Sequence, residues 1–211
     1  MMKVILTGST GFIGREVLSQ CLASPAITSI VALSRRDLPA HEKLKVALID
    51  DFMTYPDSIK NLIRDAEACI WTLGKARMPD NDLARRVSLD YTLAAAQAFH
   101  ETCQKPFRFI YCSGSAAERD QTKSLWFMQE YRRIRGQVEN ELLRFSNDHP
   151  GFETIIIRPA MVLAQDMSLR SLAFSLGPSV KLDDLGRAML DLALKGGEKN
   201  IWENSDIRHV R

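Results

Sequence analysis

At 211 residues, with 45% hydrophobic and 26% charged side chains, the chain is long enough to bury a sizeable core without disulfides or metals. A formal net charge of +2 gives no electrostatic reason to expect nucleic acid or an acidic membrane as a partner. The four cysteines form no CxxC and the four histidines no HExxH, so no metal is expected and the thiols read as reduced and buried. No apolar stretch is long enough to span a bilayer, and a strand-like run begins too early for a signal peptide, so a cytoplasmic location is expected.

Taken in order, the first two-thirds alternate short β-branched runs with helical patterns. KVILT (Lys3 to Thr7) predicts a buried strand, Gly11 to Ala23 a helix, Thr28 to Ser34 a second strand and Leu44 to Ile49 a third. A short helix follows at Ile59 to Arg64, then a fourth strand at Ala68 to Leu73. A long helix is predicted at Asn81 to Thr102, and a fifth strand at Phe107 to Ser113. A second long helix at Ser124 to Asn147 precedes a sixth strand, Phe152 to Pro159. Strands that are apolar throughout are buried on both faces, which with right-handed crossovers predicts an α/β, doubly wound parallel sheet of Rossmann type. From Ala160 the chain changes character: a polar, Ser-rich stretch, a helix at Asp183 to Lys195, and NIWENSDI. Residues 160–211 are expected to form a short substrate-side segment across the carboxyl edge of a single domain spanning 1–211.

The first strand opens into TGSTGFIG, Thr7 to Gly14. Gly8, Gly11 and Gly14 allow a tight turn, close approach of backbone to a pyrophosphate, and close packing of helix on strand. Ser9, Thr10, Phe12 and Ile13 complete a phosphate turn at a helix N-terminus. Arg15-Glu16 exclude a Walker A loop. Where NAD binders usually carry a carboxylate, the second strand ends in Ser34-Arg35-Arg36. Two guanidiniums suit a 2′-phosphate, so NADP(H) is the expected cofactor. Asp51 and Phe52 after the third strand are placed to cover an adenine edge and face.

Together TGSTGFIG, SRRDLP, DDF, TLGKAR, SLDYTLAAAQ, FIYCSGSA, YRRIRGQVE, IIIRPAMVL and WENSDI resemble the short-chain dehydrogenase/reductases. The resemblance is to the atypical, extended-like branch of Tat-interacting oxidoreductase-like proteins and fungal NAD(P)-binding-domain proteins. It implies Leu73 and Gly74 beneath the cofactor, Tyr131 and the residue at 135 beside the nicotinamide ribose, and Pro159 near the carboxamide. It also implies that Tyr131 serves as acid/base, assisted by a cation and by a serine at the end of strand five, Ser113 or Ser115, with Ser113 aligning better. By analogy it implies a homodimer joined through the two long helices. Two departures stand out: Arg135 occupies the usual lysine position, and Ser88 that of an asparagine on the preceding helix. On a helix, Tyr131 and Arg135 share a face, but Phe127, Tyr131, Ile134, Val138 and Leu142 also form an apolar stripe that a core tyrosine would satisfy. The expected function is NADP(H)-dependent oxidation or reduction of a carbonyl or alcohol on a small molecule. The alternatives are a non-redox NADP(H)-binding regulator and an isomerase or cyclase using the same pocket.

Overall fold

The central apolar runs lie side by side in one sheet because each is hydrophobic on both faces and needs cover on both, while the two outermost strands are more exposed. The computed structural model describes residues 2–74, 80–164 and 177–210. The first half contains β1 (Met2–Thr7), α1 (Phe12–Ala23), β2 (Ile27–Ser34), β3 (Leu44–Leu48), α2 (Asp57–Ile63) and β4 (Ala68–Trp71). Next come α3 (Asn81–Arg85), a π-helical turn (Arg86–Asp90), α4 (Tyr91–Thr102) and β5 (Phe107–Cys112). The remainder is α5 (Gln129–Asp148), β6 (Phe152–Arg158), β7 (Met161–Leu163), β8 (Ser179–Lys181), α6 (Leu182–Lys195), β9 (Ile201–Glu203) and α7 (Asn204–Ile207).

The main sheet has the order β3-β2-β1-β4-β5-β6-β9, and every neighbouring pair is parallel. From β1 the chain winds outward to β3, then crosses back to β4 and winds the other way. The reversal opens a crevice at the carboxyl ends of β1 and β4, where such sheets bind ligands. Registers Thr7↔Trp71, Trp71↔Tyr111 and Tyr111↔Ile156 bring the residues that follow these strands to one edge.

Strand alternation divides the core by side-chain type. Trp71, Phe107, Phe109, Tyr111 and Phe152 face α4 and α5, forming an aromatic layer with Phe52, Tyr55 and Phe99. On the other face Val4, Leu6, Ile70, Ile110 and Ile157 meet Val17 and Cys21 of α1 and Leu185, Ala188 and Met189 of α6. All four cysteines are free and buried.

Three expectations are revised. The long helix expected from Asn81 is interrupted by the π-helical turn, which holds Ser88. The helix expected from Ser124 begins at Gln129, so the apolar stripe loses its first member: Phe127 lies outside the helix and is 50% exposed. The tail is not only a substrate-side segment: α6 packs against α1 as a layer of the sheet's aliphatic face, and β9 adds a parallel strand beside β6. The Ser-rich stretch at 165–176 and Lys75 to Arg77 of the TLGKAR motif lie outside the described residues.

Candidate active site

The glycine turn is built too tightly for side chains. Gly8 adopts φ +70°, and a Cβ on it would stand 2.5 Å from Thr72 Oγ1; a Cβ on Gly14 would overlap the Gly8 carbonyl oxygen. Thr72 fastens β4 beneath the turn, its Oγ1 donating to the Thr7 carbonyl at 2.7 Å. Gly11 caps α1, and no side chain bonds its first amides. Ser9 is buried, and its Oγ has no partner among the described residues. A desolvated hydroxyl without a partner costs about 1–3 kcal/mol. An unpaired hydroxyl, free helix-terminal amides and a backbone with no room for Cβ atoms together fit a diphosphate. Thr10 and Ile13 are half-buried in the turn, and Phe12 is 53% exposed.

At the end of β2, Arg35 and Arg36 are exposed and form no ion pair among the described residues; the Arg36 amide donates to Ser34 Oγ at 3.2 Å. Asp51 pairs with Arg86 at 3.2 Å and accepts from the Met53 amide. Phe52 departs from expectation. Its ring is 2% exposed and packs edge-on against Trp71, with centroids 5.9 Å apart, and against Tyr91 at 5.7 Å. The ring belongs to the core and cannot cover an adenine face; only its backbone remains available there.

Leu73 and Gly74 follow β4, and Gly74 adopts φ +135°. A Cβ there would stand 3.0 Å from Arg135 Nη2. Arg135 is 6% exposed. Its Nη1 donates to Tyr111 Oη and to the Cys112 carbonyl, each at 3.0 Å. Its Cζ lies 5.5 Å from the Tyr131 ring centroid and 5.8 Å from that of Tyr111, between two aromatic faces. Burial pushes the Tyr111 phenol up in pKa, and the adjacent Arg135 offsets part of that rise. Tyr131 is half-buried, and a Cβ on Gly114 would lie 3.2 Å from its hydroxyl. The structure thus brings Tyr131, Arg135, Gly74 and the end of β5 together.

The two candidate serines part company. Ser113 lies on the same strand face as Tyr111 and points at α5, where its Oγ donates to Glu139 Oε1 at 2.5 Å. Glu139 has no exposed surface, and Arg158 bonds both of its oxygens, Nε lying 3.0 and 3.2 Å away. Arg158 Nη1 continues to Glu203 at 2.8 Å. Ser113 is therefore committed to an internal polar chain. Ser115 is exposed; its amide donates to the carbonyl of buried Pro159 at 2.9 Å, which ties the two edge loops together. Ser88 is 5% exposed, and its carbonyl accepts from Thr92 Oγ1.

Sequence reasoning missed Tyr111, Glu139 and Gly136. Glu139 had a legible signal: positions 131, 135 and 139 repeat by four on one helix face, which leaves an acid facing the core. Gly136 explains the loop before α5. A Cβ there would overlap the Glu118 carbonyl, so residues 114–128 lie as a strap directly on the helix. Arg132 Nε donates to the Ala116 carbonyl at 2.8 Å, Arg119 Nε to Asn140 Oδ1 at 2.7 Å, and Asn140 Nδ2 back to the Arg119 carbonyl at 2.9 Å. Within the strap Leu125 is buried, whereas Trp126 is 94% exposed.

Residues 8–193 match a family described as NAD(P)H-binding. The mitochondrial protein FMP52 of Candida albicans is 23% identical, covering 92% of this chain and 89% of its own. The mitochondrial fmp52 of Emericella nidulans is 24% identical, covering 96% and 94%. Among solved structures, Gre2 of Candida albicans in complex with NADPH has a TM-score of 0.72 at 16% identity, covering 96% of this chain and 78% of that one. The yeast methylglyoxal/isovaleraldehyde reductase Gre2 complexed with NADPH has a TM-score of 0.69 at 14% identity, covering 95% and 78%. The mitochondrial names overturn the expected cytoplasmic location, which rested on seeing no signal peptide and no membrane-spanning stretch, and neither absence carries information about destination. No helix among the described residues is long and apolar enough to cross a membrane.

Proposed function

The chain belongs to the NAD(P)H-binding family, and from that premise we propose that it is an NADP(H)-dependent oxidoreductase acting on a carbonyl or alcohol of a small organic molecule. One observation carries the reading. The Tyr131 hydroxyl stands beside Gly114 at the carboxyl edge, with the buried Arg135 cation 5.5 Å from its ring. The backbone from Gly8 to Gly14 and the Ser9 hydroxyl would hold the diphosphate, and Arg35 and Arg36 would grip the 2′-phosphate. Asp51 and the Phe52 backbone would meet the adenine, Leu73 and Gly74 the ribose, and Pro159 the carboxamide. When bound, the nicotinamide supplies a hydride to the substrate carbon, or takes one from it. Tyr131 gives its hydroxyl proton to the substrate oxygen in reduction and removes one in oxidation. Arg135 keeps a positive charge near the phenol and stabilises the phenolate left behind. Ser115, an exposed residue, is the strand-five serine left to meet substrate.

A second reading, dinucleotide binding without turnover, is favoured by Ser113 being bonded to Glu139 and not facing a substrate. One experiment separates the two. In the enzyme reading, purified protein consumes NADPH with a panel of aldehydes and ketones, and Tyr131→Phe slows that by about a hundredfold or more while calorimetric NADPH affinity is kept. Tight NADPH binding with no oxidation across the panel points to the second reading; no binding of NADPH or NADP⁺ sinks both.

A further inference from the structure

An arginine carries two ends with different geometry: the lone Nη1 end and the flat edge formed by Nε and Nη2. In Arg135 they are treated differently. Nη1 is fully engaged, donating to Tyr111 Oη and the Cys112 carbonyl at 3.0 Å each. Nε is buried and has no partner among the described residues. Nη2 forms no hydrogen bond among the described residues and borders Gly74, whose missing side chain is what leaves it space. One end of the guanidinium is held by protein, Nε is enclosed, and Nη2 is the nitrogen on the Gly74 side without a partner among the described residues. A ribose hydroxyl or a carboxylate oxygen can accept from such a donor.

Tyr111 is an unusual residue for its place. Strand alternation puts it in the aromatic layer with Trp71 and Phe109, 1% exposed, where phenylalanine would pack equally well. Its hydroxyl is the one polar group it adds, and Arg135 is the partner of that hydroxyl. We propose that Tyr111 is a positioning residue: with the Cys112 carbonyl it fixes the Nη1 end of Arg135, so that Nη2, beside Gly74, is held ready for a hydroxyl of a nucleotide ribose. The inference rests on the dinucleotide reading above and explains how an arginine serves at position 135. A lysine ammonium has a single nitrogen, and anchoring it to Tyr111 would pull it away from the ligand. Arginine has nitrogens enough to be anchored and to bind. The tyrosine on β5 and the arginine on α5 therefore act as a matched pair, and Gly74 supplies the clearance they need.

The test is a cycle of Tyr111→Phe, Arg135→Lys and the double substitution, each checked for folding by thermal unfolding and titrated calorimetrically with NADPH. Tyr111→Phe is expected to weaken NADPH by about tenfold, the size of one hydrogen bond to a charged group. Arg135→Lys is expected to weaken it by at least as much. The double substitution recovers part of the loss, because the lysine is released from the phenol; a purely structural tyrosine would make the losses multiply. Multiplying losses, or wild-type affinity in Tyr111→Phe, overturn the inference and leave dinucleotide binding standing. A wild-type protein that takes up no NADPH removes the dinucleotide reading and this inference together. If Tyr111→Phe does not fold, Arg135→Lys alone decides: unchanged affinity overturns the inference, since a lysine bound to Tyr111 could not also serve the ribose.

Discussion

Glu139 is a carboxylate with no exposed surface, neutralised by Arg158 and bonded by Ser113. Removing one member of a buried pair leaves the other charge uncompensated, which is far costlier than losing a surface bridge. Glu139→Gln is expected to destabilise the fold by about 3 kcal/mol, lowering Tm by roughly 10 °C at this chain length. A Tm within about 2 °C of wild type would show that Arg158 is satisfied elsewhere. Local chemistry made some residues legible in the sequence and hid others. The glycine turn was readable because its three glycines constrain one another within eight residues. Tyr111 and Ser113 owe their roles to partners on other elements, which no local pattern reports; for Glu139 the repeat by four marked the helix face but not its partners Ser113 and Arg158. Phe52 was misplaced for the same reason: its sequence neighbourhood suggested adenine, while Trp71 and Tyr91, far along the chain, claim its ring.

Elements were legible in kind and order, less so at their ends. The apolar stripe that suggested a helix from Ser124 continues through Ile134, Val138 and Leu142, all buried, but residues 114–128 fold back onto α5 instead of extending it. The strap satisfies its polar groups on the helix, and Met128 takes φ 46° where the chain turns into α5. Gly136 is the point of closest approach. Gly136→Ala, ordinarily favourable in a helix, is here expected to cost about 1–3 kcal/mol through overpacking and to release the strap. Limited proteolysis checks this: cleavage within 114–128 rises in the variant while the remaining fragments stay folded. Unchanged protection would mean that the strap moves aside without penalty. The break between α3 and α4 was equally invisible, because a π-helical turn inserts its extra residue without Gly or Pro to mark it.

For the molecule as a whole, the doubly wound sheet was the most legible feature, since apolar runs alternating with helical patterns leave few other arrangements. The division into an aromatic and an aliphatic face was written in the period-two order of β4 and β5. Burial across those faces sets an alkaline limit. It pushes the thiols of Cys21 and Cys103 up to about 12 and that of Cys112 up to about 11, from an ordinary value of 9.0. Thiols released by unfolding ionise near that ordinary value, so the unfolded chain loses protons first. Stability is then fully present below pH 9.0 and is lost as pH rises toward the folded values. Tm followed from about pH 8 to pH 11 should be level at first and then fall; a level course throughout contradicts the account. The three tryptophans sample this architecture unequally: Trp71 is enclosed in the aromatic layer, Trp202 sits at the sheet's far edge, and Trp126 stands 94% exposed on the strap. The protein consequently carries its own optical probe. A soluble quencher reaches Trp126 and not Trp71, so any docking or shielding of the strap during ligand uptake can be followed by intrinsic fluorescence without attaching a dye.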